Sequence, residues 1–298
     1  MKMVTLTSFA DHYYSPPPFT GLEELVRFPD GEFKLNSIPN STVWVFSDRN
    51  HRFRPEIHQA DIGCGMTALI ISPVEHREAA DAIYAHLRKK NILGRGNHFI
   101  DICSPLDILY EEKREPHQVL LIHTHGARND VPRTLTQACQ YQDQASWYRK
   151  ELGETLARVL GVSSTLLGDW NHNSVQQENG KIIYRRGVVK VQPGKVYFLP
   201  AHLGEQILIY TINEKSLPPY SSMPHATGRS GPRGETKVTP EEAATLRQQV
   251  YIPAGISDRS LRTEHPSCYN DFDKIFDKLR AFFVPMGETQ ILSYVGKI

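Results

Sequence analysis

Side chains that could bind a metal ion occur in a few short segments of this sequence, at positions expected to be loops or strand ends. The first segment, residues 61–66 (DIGCGM), has a carboxylate at Asp61 and a thiol at Cys64, three positions further on. Because glycine lets the backbone turn tightly, these two side chains can converge on one cation. The alternative for Cys64 is a small buried hydrophobic residue with no ligand role.

The second segment, residues 94–101 (GRGNHFID), places His98 after a glycine turn, with Asn97 before it and Asp101 three residues later. A histidine in such a loop is less easily explained as a packing residue than one on an apolar helix face. The alternative is a capped turn whose histidine is simply hydrogen-bonded.

The third segment, residues 121–128 (LIHTHGAR), is a buried strand that ends in two alternate histidines before a glycine turn. Strand alternation sends His123 and His125 to the same face if the strand continues that far. Arg128, which follows, is suited to binding a phosphate. We therefore expect a metal ligand here.

Two further histidines lie in residues 170–173 (WNHN) and 223–229 (MPHATGR), and His225 falls within a long loop predicted over residues 218–234. Long loops in compact domains are often functional, so this imidazole could meet a substrate. A thiolate, a carboxylate and several imidazoles together suit borderline divalent ions such as Mn²⁺ or Zn²⁺. No H-E-x-x-H, Walker A, G-x-S-x-G or dinucleotide-binding motif occurs, so the common hydrolase, kinase and dehydrogenase classes have no support.

The strands and helices predicted around these segments indicate one α+β domain over residues 1–298, without internal repeats or a flexible linker. Residues 1–42, rich in proline and glycine, are expected to be irregular or lightly structured. Strands are predicted at residues 43–46, 68–74, 119–122, 196–199 and 206–212. Helices are predicted at residues 79–89, 137–160 and 270–283, with another beginning at Thr239-Pro240.

Composition is that of an ordinary globular protein, with 40% hydrophobic and 22% charged residues and a formal net charge of +1. Any nucleic-acid-binding surface must therefore be local, and residues 181–195 are basic with no acidic residue among them. The alternative for this stretch is the solvated face of a hairpin.

The four cysteines form no C-x-x-C pair, so the sequence shows no sign of a zinc ribbon. Neither a secretory signal nor a membrane span is evident, which predicts a cytoplasmic protein without a membrane partner.

The order of the motifs, from D-I-G-C-G through G-N-H-F, I-H, H-N and H-x-x-G-R to a C-terminal lysine, resembles the RtcB family of RNA ligases. The resemblance runs from about residue 43 to residue 297 and identifies the chain as a short member. It implies a single α+β domain with central β-sheets, flanking helices and a deep metal-binding cleft that holds two Mn²⁺ ions. It also implies a GTP-dependent enzyme of tRNA splicing or RNA repair. Such an enzyme joins RNA 2′,3′-cyclic phosphate or 3′-phosphate ends to 5′-hydroxyl ends through a histidine–GMP intermediate, in some cases with a guanylylation helper protein.

Carried over residue by residue, the resemblance assigns His225 as the histidine that accepts GMP. The metal ligands that it implies are Asp61, Cys64, His98, His123 and His172, with Cys64 bridging the two ions. The residues implied for GTP or its phosphates are Asn97, Asp101, Arg229, Tyr269 and Lys297. In these roles Asp101 would accept hydrogen bonds from guanine, Tyr269 would stack on the base, and Arg229 would hold a phosphate.

The chain departs from the family pattern in places. Residues 54–58 (RPEIH) stand where the family has P-D-V-H-x-G, and P-H-A-T-G-R replaces S-H-G-A-G-R around His225. The third motif, H-T-H-G-A-R, is one residue longer than the family's, so either His123 or His125 could be the ligand. Two alternatives to an RNA ligase are a metal-dependent cyclic phosphodiesterase and a non-catalytic RNA-binding module on the same fold. The presence of His225 and Lys297, which a phosphodiesterase does not need, favours ligation.

Overall fold

The computed structural model of the protein describes residues 2–5, 19–31, 38–49, 51–88, 92–93, 98–105, 117–231 and 237–297. In these ranges the helices are α1 (His76–Arg88), α2 (Leu135–Leu160), α3 (Pro240–Ala244), α4 (Leu246–Gln249), α5 (Asp258–Leu261) and α6 (Phe272–Leu279). The strands are β1 (Lys2–Thr5), β2 (Leu22–Arg27), β3 (Thr42–Ser47), β4 (Gly65–Ile71), β5 (Phe99–Cys103), β6 (Gln118–Thr124), β7 (Ser164–Asn171), β8 (Asn173–Glu178), β9 (Lys181–Arg186), β10 (Val188–Lys190), β11 (Tyr197–Pro200), β12 (Gln206–Ile212), β13 (Ser222–Pro224) and β14 (Phe283–Gly296).

The strands form two main sheets. The larger has seven strands in the order β11-β12-β14-β5-β6-β4-β7, and its neighbours are antiparallel. The smaller has five strands in the order β1-β2-β3-β9-β8, with β1 and β2 parallel. A separate antiparallel pair joins β10 to β13. The mixture of helices and strands confirms the α+β class in its coarse form.

The larger sheet is buried on both faces, which explains the uninterrupted apolar run of β6. Leu120 and Ile122 pack with residues of α1 and α2, whereas Val119 and Leu121 belong to the core on the opposite face. Alternation along a strand assigns His123 to the face of Val119 and Leu121, away from the helices.

Helix α2 covers the sheet where the candidate ligands lie. The Thr134 side chain caps its beginning by accepting a hydrogen bond from the Gln137 amide, and Gly161, at φ 69°, ends it. At Gly153 a Cβ atom would lie 2.5 Å from Leu69 Cδ1, so any larger residue there would require the Leu69 side chain to move. The close packing keeps Arg149, one turn earlier, inside the molecule.

Most predicted elements are confirmed with shifted ends. The strands predicted at 43–46, 68–74, 119–122, 196–199 and 206–212 correspond to β3, β4, β6, β11 and β12. The helices predicted at 79–89 and 137–160 are α1 and α2, and Thr239 forms a capping box with Glu242 at the beginning of α3. The helix predicted at 270–283 is shorter, because α6 ends at Leu279 and a 3-10 turn leads into β14.

In residues 1–42, expected to be irregular or lightly structured, the described part includes strands β1 and β2, the second buried at its end. Other expectations need correction. The loop predicted over residues 218–234 includes β13, and residues 232–236 of it lie outside the described residues. In the basic stretch 181–195, Arg185 is fully buried and ion-paired to Glu178, so its charge does not contribute to a surface for nucleic acid. None of the described helices combines the length and the apolar character needed to cross a bilayer.

Candidate functional site

Cys64 lies in a turn that only glycine neighbours allow. Gly63 has φ +79°, and a Cβ atom on Gly65 would come within 2.3 Å of a carbonyl oxygen of the facing strand β7. The Cys64 carbonyl accepts hydrogen bonds from the backbone amides of His172 (2.9 Å) and Asn173 (3.2 Å). The glycines of the D-I-G-C-G motif therefore hold the thiol against the segment that carries His172.

The five predicted metal ligands converge. Their donor atoms form two groups, each with all atoms within 4.8 Å of one another: Cys64, His123 and His172, and Asp61, Cys64 and His98. The Cys64 sulfur lies 3.7 Å from His98 Nε2 and 3.6 Å from His123 Nε2. Donors on one tetrahedral ion with ordinary bond lengths are about 3.4–3.6 Å apart. Each group could thus hold a metal ion, with Cys64 common to both.

Neighbouring groups orient these ligands. His98 Nδ1 is 2.5 Å from the Leu93 carbonyl, to which it donates, so that Nε2 faces Cys64. The side-chain amide of Asn173 donates to Asp61 Oδ2 at 2.7 Å. The Asp61 side chain is 51% exposed whereas Cys64 is 3% exposed, so the centre opens toward solvent at the aspartate.

The protonation of the cluster suits a cation. Burial, and secondarily the charge of Asp61, raises the pKa of the Cys64 thiol well above its ordinary value. Burial, with the adjacent His225 and His123, lowers the pKa of His172 well below its ordinary value. The apo cluster therefore has a neutral thiol and a neutral imidazole, and a bound ion would displace the thiol proton. The combination of thiolate, imidazole and carboxylate fits a divalent transition-metal ion such as Mn²⁺ or Zn²⁺.

The structure separates the two histidines of the third motif. Strand β6 ends at Thr124, and His123 is the one whose Nε2 belongs to the group with Cys64 and His172. His125 lies beyond the strand, with its Nε2 3.7 Å from Asp61 Oδ1. Burial, followed by the charge of Arg128, lowers the pKa of His125 to about 4, so a neutral ring faces Asp61 and no ion pair forms at neutral pH.

His225 is placed beside this cluster by β10 and β13. Its ring centroid is 4.2 Å from that of His172. Its Nδ1 is 2.8 Å from the Gly187 carbonyl oxygen and donates a hydrogen bond to it, which leaves the lone pair on Nε2. The Gly187 amide in turn donates to Asn173 Oδ1 at 2.8 Å. Asn173 therefore connects Asp61 to the turn that orients His225.

Four of the five residues predicted to contact the nucleotide gather around a buried carboxylate, Glu264; they are Asp101, Arg229, Tyr269 and Lys297. Lys297 Nζ is 2.8 Å from Glu264 Oε1, and the Tyr269 hydroxyl donates to Oε2 at 2.6 Å. Burial alone would raise the pKa of Glu264, but the charges of Lys297 and Arg229 and the hydrogen bonds outweigh it and keep the pKa below its ordinary value. Glu264 is therefore ionised in the folded protein.

Asp101 and Arg229 complete this cluster. Burial, with the nearby charge of Glu264, raises the pKa of Asp101 well above its ordinary value, which favours the neutral carboxyl. The Arg229 guanidinium lies 4.6 Å over the Tyr269 ring and donates to the Thr263 carbonyl at 2.6 Å. Arg229 is thus engaged within the protein in this conformation, and its role with a phosphate stays a prediction.

No family model matches the chain, and no curated protein matches it closely enough to count as a relative. The functional interpretation consequently depends on the motifs and on the geometry of the site.

One predicted site residue lies outside the described structure, and two buried residues that position the site were not predicted. Asn97 falls in residues 94–97, which lie outside the described residues. Arg149 and Glu264 were not selected, although both are buried. A signal existed for Arg149, because four-residue spacing from Ala145 puts a charged residue on the apolar stripe of α2. Glu264 had no local signal, since only the convergence of distant residues reveals it.

Proposed function

We propose that the protein is a GTP- and Mn²⁺-dependent RNA ligase that joins 2′,3′-cyclic phosphate or 3′-phosphate ends to 5′-hydroxyl ends, in tRNA splicing or RNA repair. The observation that carries the proposal is Cys64, shared by two groups of ligands, with the His225 ring packed against a ligand of one group. A nucleophilic imidazole beside a two-ion centre is an arrangement suited to transfer of a nucleotide to histidine.

In the first step His225 is the nucleophile. Because its Nδ1–H is held by the Gly187 carbonyl, Nε2 carries the lone pair that attacks the α-phosphorus of GTP. A phosphorus–nitrogen bond forms and pyrophosphate leaves. Two bound Mn²⁺ ions would supply Lewis-acid neutralisation of the phosphate charge.

In the later steps the RNA 3′-phosphate oxygen attacks the phosphorus on His225. The imidazole leaves, and an RNA end with a 3′-pp-5′-G linkage results. The 5′-hydroxyl of the second RNA then attacks the RNA phosphorus, loses its proton and displaces GMP. A cyclic phosphate end requires prior opening by water to the 3′-phosphate.

The cluster around Glu264 suits the guanine nucleotide. An ionised, buried carboxylate can accept hydrogen bonds from guanine N1–H and the N2 amino group, which adenine does not present in that pattern. The neutral form of Asp101, which burial favours, would add a donor, and Lys297 would supply a positive charge beside the base or ribose. This cluster and His225 are linked by the short segment that ends at Arg229, so one nucleotide could span both.

The test is covalent labelling with GTP radiolabelled at the α-phosphate in the presence of Mn²⁺. The wild-type protein should acquire acid-labile, histidine-linked label and then ligate RNA with cyclic-phosphate and hydroxyl ends. His225→Ala should bind metal as before but take up no label. Cys64→Ala should lose metal binding and labelling together, because it removes the donor that both groups share.

Matched controls make the result specific. His86→Ala on α1 and Cys139→Ala on α2 change the same residue types outside the cluster and should label like the wild type. Metal-loaded protein that opens cyclic phosphates without becoming labelled would be a phosphodiesterase. Label retained by His225→Ala would mean that another residue is the nucleophile.

A further inference from the structure

Asn173 is a buried polar residue, 4% exposed, that lies between the carboxylate Asp61 and the turn that holds His225. Its Nδ2 donates to Asp61 Oδ2 at 2.7 Å and to the Asp61 carbonyl at 3.2 Å. Its Oδ1 accepts a hydrogen bond from the Gly187 amide at 2.8 Å. We propose that Asn173 is a positioning residue that fixes the metal-binding carboxylate and the nucleophilic imidazole relative to each other. This inference deepens the proposed function and rests on it.

The two ends of the Asn173 side chain have partners of opposite kinds. Its nitrogen faces two oxygens of Asp61, and its oxygen faces the Gly187 N–H, so the reversed amide would place like groups together. Aspartate at this position would keep the acceptor and lose the donors, and alanine would lose all three hydrogen bonds. Substitutions can therefore separate the contact with Gly187 from the contact with Asp61.

On the metal side, Asn173 orients a ligand that is open to solvent. The Asp61 side chain is 51% exposed, so ordering its carboxylate costs conformational entropy when an ion binds. The hydrogen bond to Oδ2 provides part of that order in advance and leaves other lone pairs of the carboxylate for coordination. The backbone of Asn173 is held separately, because its amide donates to the Cys64 carbonyl and its carbonyl accepts from the Gly63 amide. Loss of the side chain should thus alter the ligand without detaching β8.

On the nucleophile side, Asn173 acts through the turn at Gly187, which has φ +66°. The next amide, that of Val188, donates to the His172 carbonyl at 2.8 Å. The Gly187 carbonyl accepts from His225 Nδ1, the contact that leaves the lone pair on Nε2. Without Asn173 the Gly187 N–H would lose its partner inside the protein, and the carbonyl would be free to tilt. His225 would then lose its fixed tautomer.

Asn173 therefore affects two steps that can be measured apart. A residue that acted only through Asp61 would change ion affinity, and excess Mn²⁺ would restore the rate of GMP transfer. A residue that also orients His225 lowers that rate even when the ion positions are filled.

Asn173→Ala tests both effects. Its affinity for Mn²⁺, measured by calorimetry, should fall by about 10–100-fold. In ¹⁵N-histidine magnetic resonance of metal-free protein, wild-type His225 should be the Nδ1–H tautomer and the variant a mixture, with the signal assigned by comparison with His225→Ala. At saturating Mn²⁺, covalent labelling by GTP should remain about 10–100-fold slower than in the wild type, because the nucleophile is misplaced.

Two further variants separate orientation from a general effect on folding, which circular dichroism monitors. Asn173→Asp retains the acceptor for the Gly187 amide and should keep the wild-type tautomer of His225. Asn213→Ala is the matched control, because Asn213 also donates to a backbone carbonyl and accepts from a backbone amide, and it should leave all three measurements unchanged.

Folded Asn173→Ala with the wild-type affinity and tautomer would overturn the inference. A change in only one of the two would overturn the link between Asp61 and His225, as would mixed tautomers in Asn173→Asp. Wild-type protein that binds Mn²⁺ and never becomes labelled would overturn the proposed function, while affinity and tautomer would still decide the role of Asn173.

Discussion

A backbone carbonyl selects the reactive nitrogen of two of the candidate site's imidazoles. The Leu93 carbonyl accepts from His98 Nδ1, and the Gly187 carbonyl accepts from His225 Nδ1, so Nε2 is presented in both. His58 is different: it stacks on Tyr184, and its Nε2 contacts the Arg185 carbonyl at 2.7 Å. Burial lowers the pKa of His58 to about 3, which keeps it neutral within the core. His58, in the segment that departs most from the family pattern, is therefore a packing residue.

Asp30 gives a prediction at this scale, because it is buried against the loop that carries His225. It packs so closely against Gly228 that a Cβ atom added there would lie 2.2 Å from the Asp30 backbone oxygen. The Asp30 carboxyl accepts a hydrogen bond from Ser41. Burial raises the pKa of Asp30 to about 7. Between pH 4 and 7 the folded protein thus holds a proton that the unfolded chain has released. Stability should fall as pH rises through this window, by up to about 1.4 kcal/mol per pH unit.

Asp30→Asn tests this expectation, because the amide resembles a protonated carboxyl and has no proton to release. Urea unfolding of both proteins at several pH values should show the variant gaining stability relative to the wild type as pH rises. Nuclear magnetic resonance of the Asp30 carboxyl provides a direct titration. A stability difference that is the same at every pH would contradict a neutral buried Asp30.

At the scale of elements, α2 joins the segments that carry the ligands. The Arg149 guanidinium is fully buried and donates to the carbonyls of Gly63 at 2.8 Å and Thr124 at 3.0 Å. It also donates to Asn171 Oδ1 at 2.7 Å. Each partner is next to a predicted ligand in the chain: Gly63 precedes Cys64, Thr124 follows His123, and Asn171 precedes His172. One side chain of α2 therefore sets the relative positions of three ligand-bearing segments.

Arg149→Met should loosen that arrangement. The variant leaves Asp169, whose side chain is 8% exposed, without its cation, so we expect a loss of about 3–5 kcal/mol of unfolding free energy. Metal affinity, measured by calorimetry, should fall by about 10–100-fold, the range for groups that orient ligands. Arg158→Met, on the exposed face of the same helix, is the control. Unchanged metal affinity in folded Arg149→Met would show that the ligands are positioned without it.

The sequence predicts an element well where one local signal dominates. The apolar run of β6 was enough to predict that strand, and the capping residues of α2 and α3 were enough to predict an end of each helix. Strand β14 was missed because Pro285 and Gly287 interrupt its pattern, and its pairing with both β12 and β5 comes from distant parts of the chain. The glycine-flanked motifs likewise predicted residues whose donor atoms converge in the structure. The choice between His123 and His125 was not predictable, since it depends on where β6 ends.

At the scale of the whole molecule, the candidate centre lies where the two sheets are connected. Asp61 and Cys64 precede β4, His98 precedes β5, and His123 lies near the end of β6; these three strands belong to the larger sheet. His172 follows β7 of that sheet and directly precedes β8 of the smaller one. A bound ion would therefore cross-link segments of both sheets, in addition to the side-chain hydrogen bonds of Arg149 and Asn173 that already join them.

Metal removal should for this reason lower the stability of the whole protein. An ion present at 100 times its dissociation constant adds about 2.7 kcal/mol to the unfolding free energy if only the folded state binds it. Thermal unfolding with and without a chelator should show the difference, and hydrogen exchange should slow at the junction of β7 and β8 when metal is added. Because binding displaces the Cys64 proton, the metal-dependent gain should increase with pH. Cys64→Ala should unfold at one temperature with or without metal. A metal-dependent shift that persisted in this variant would place the stabilising ion at another site.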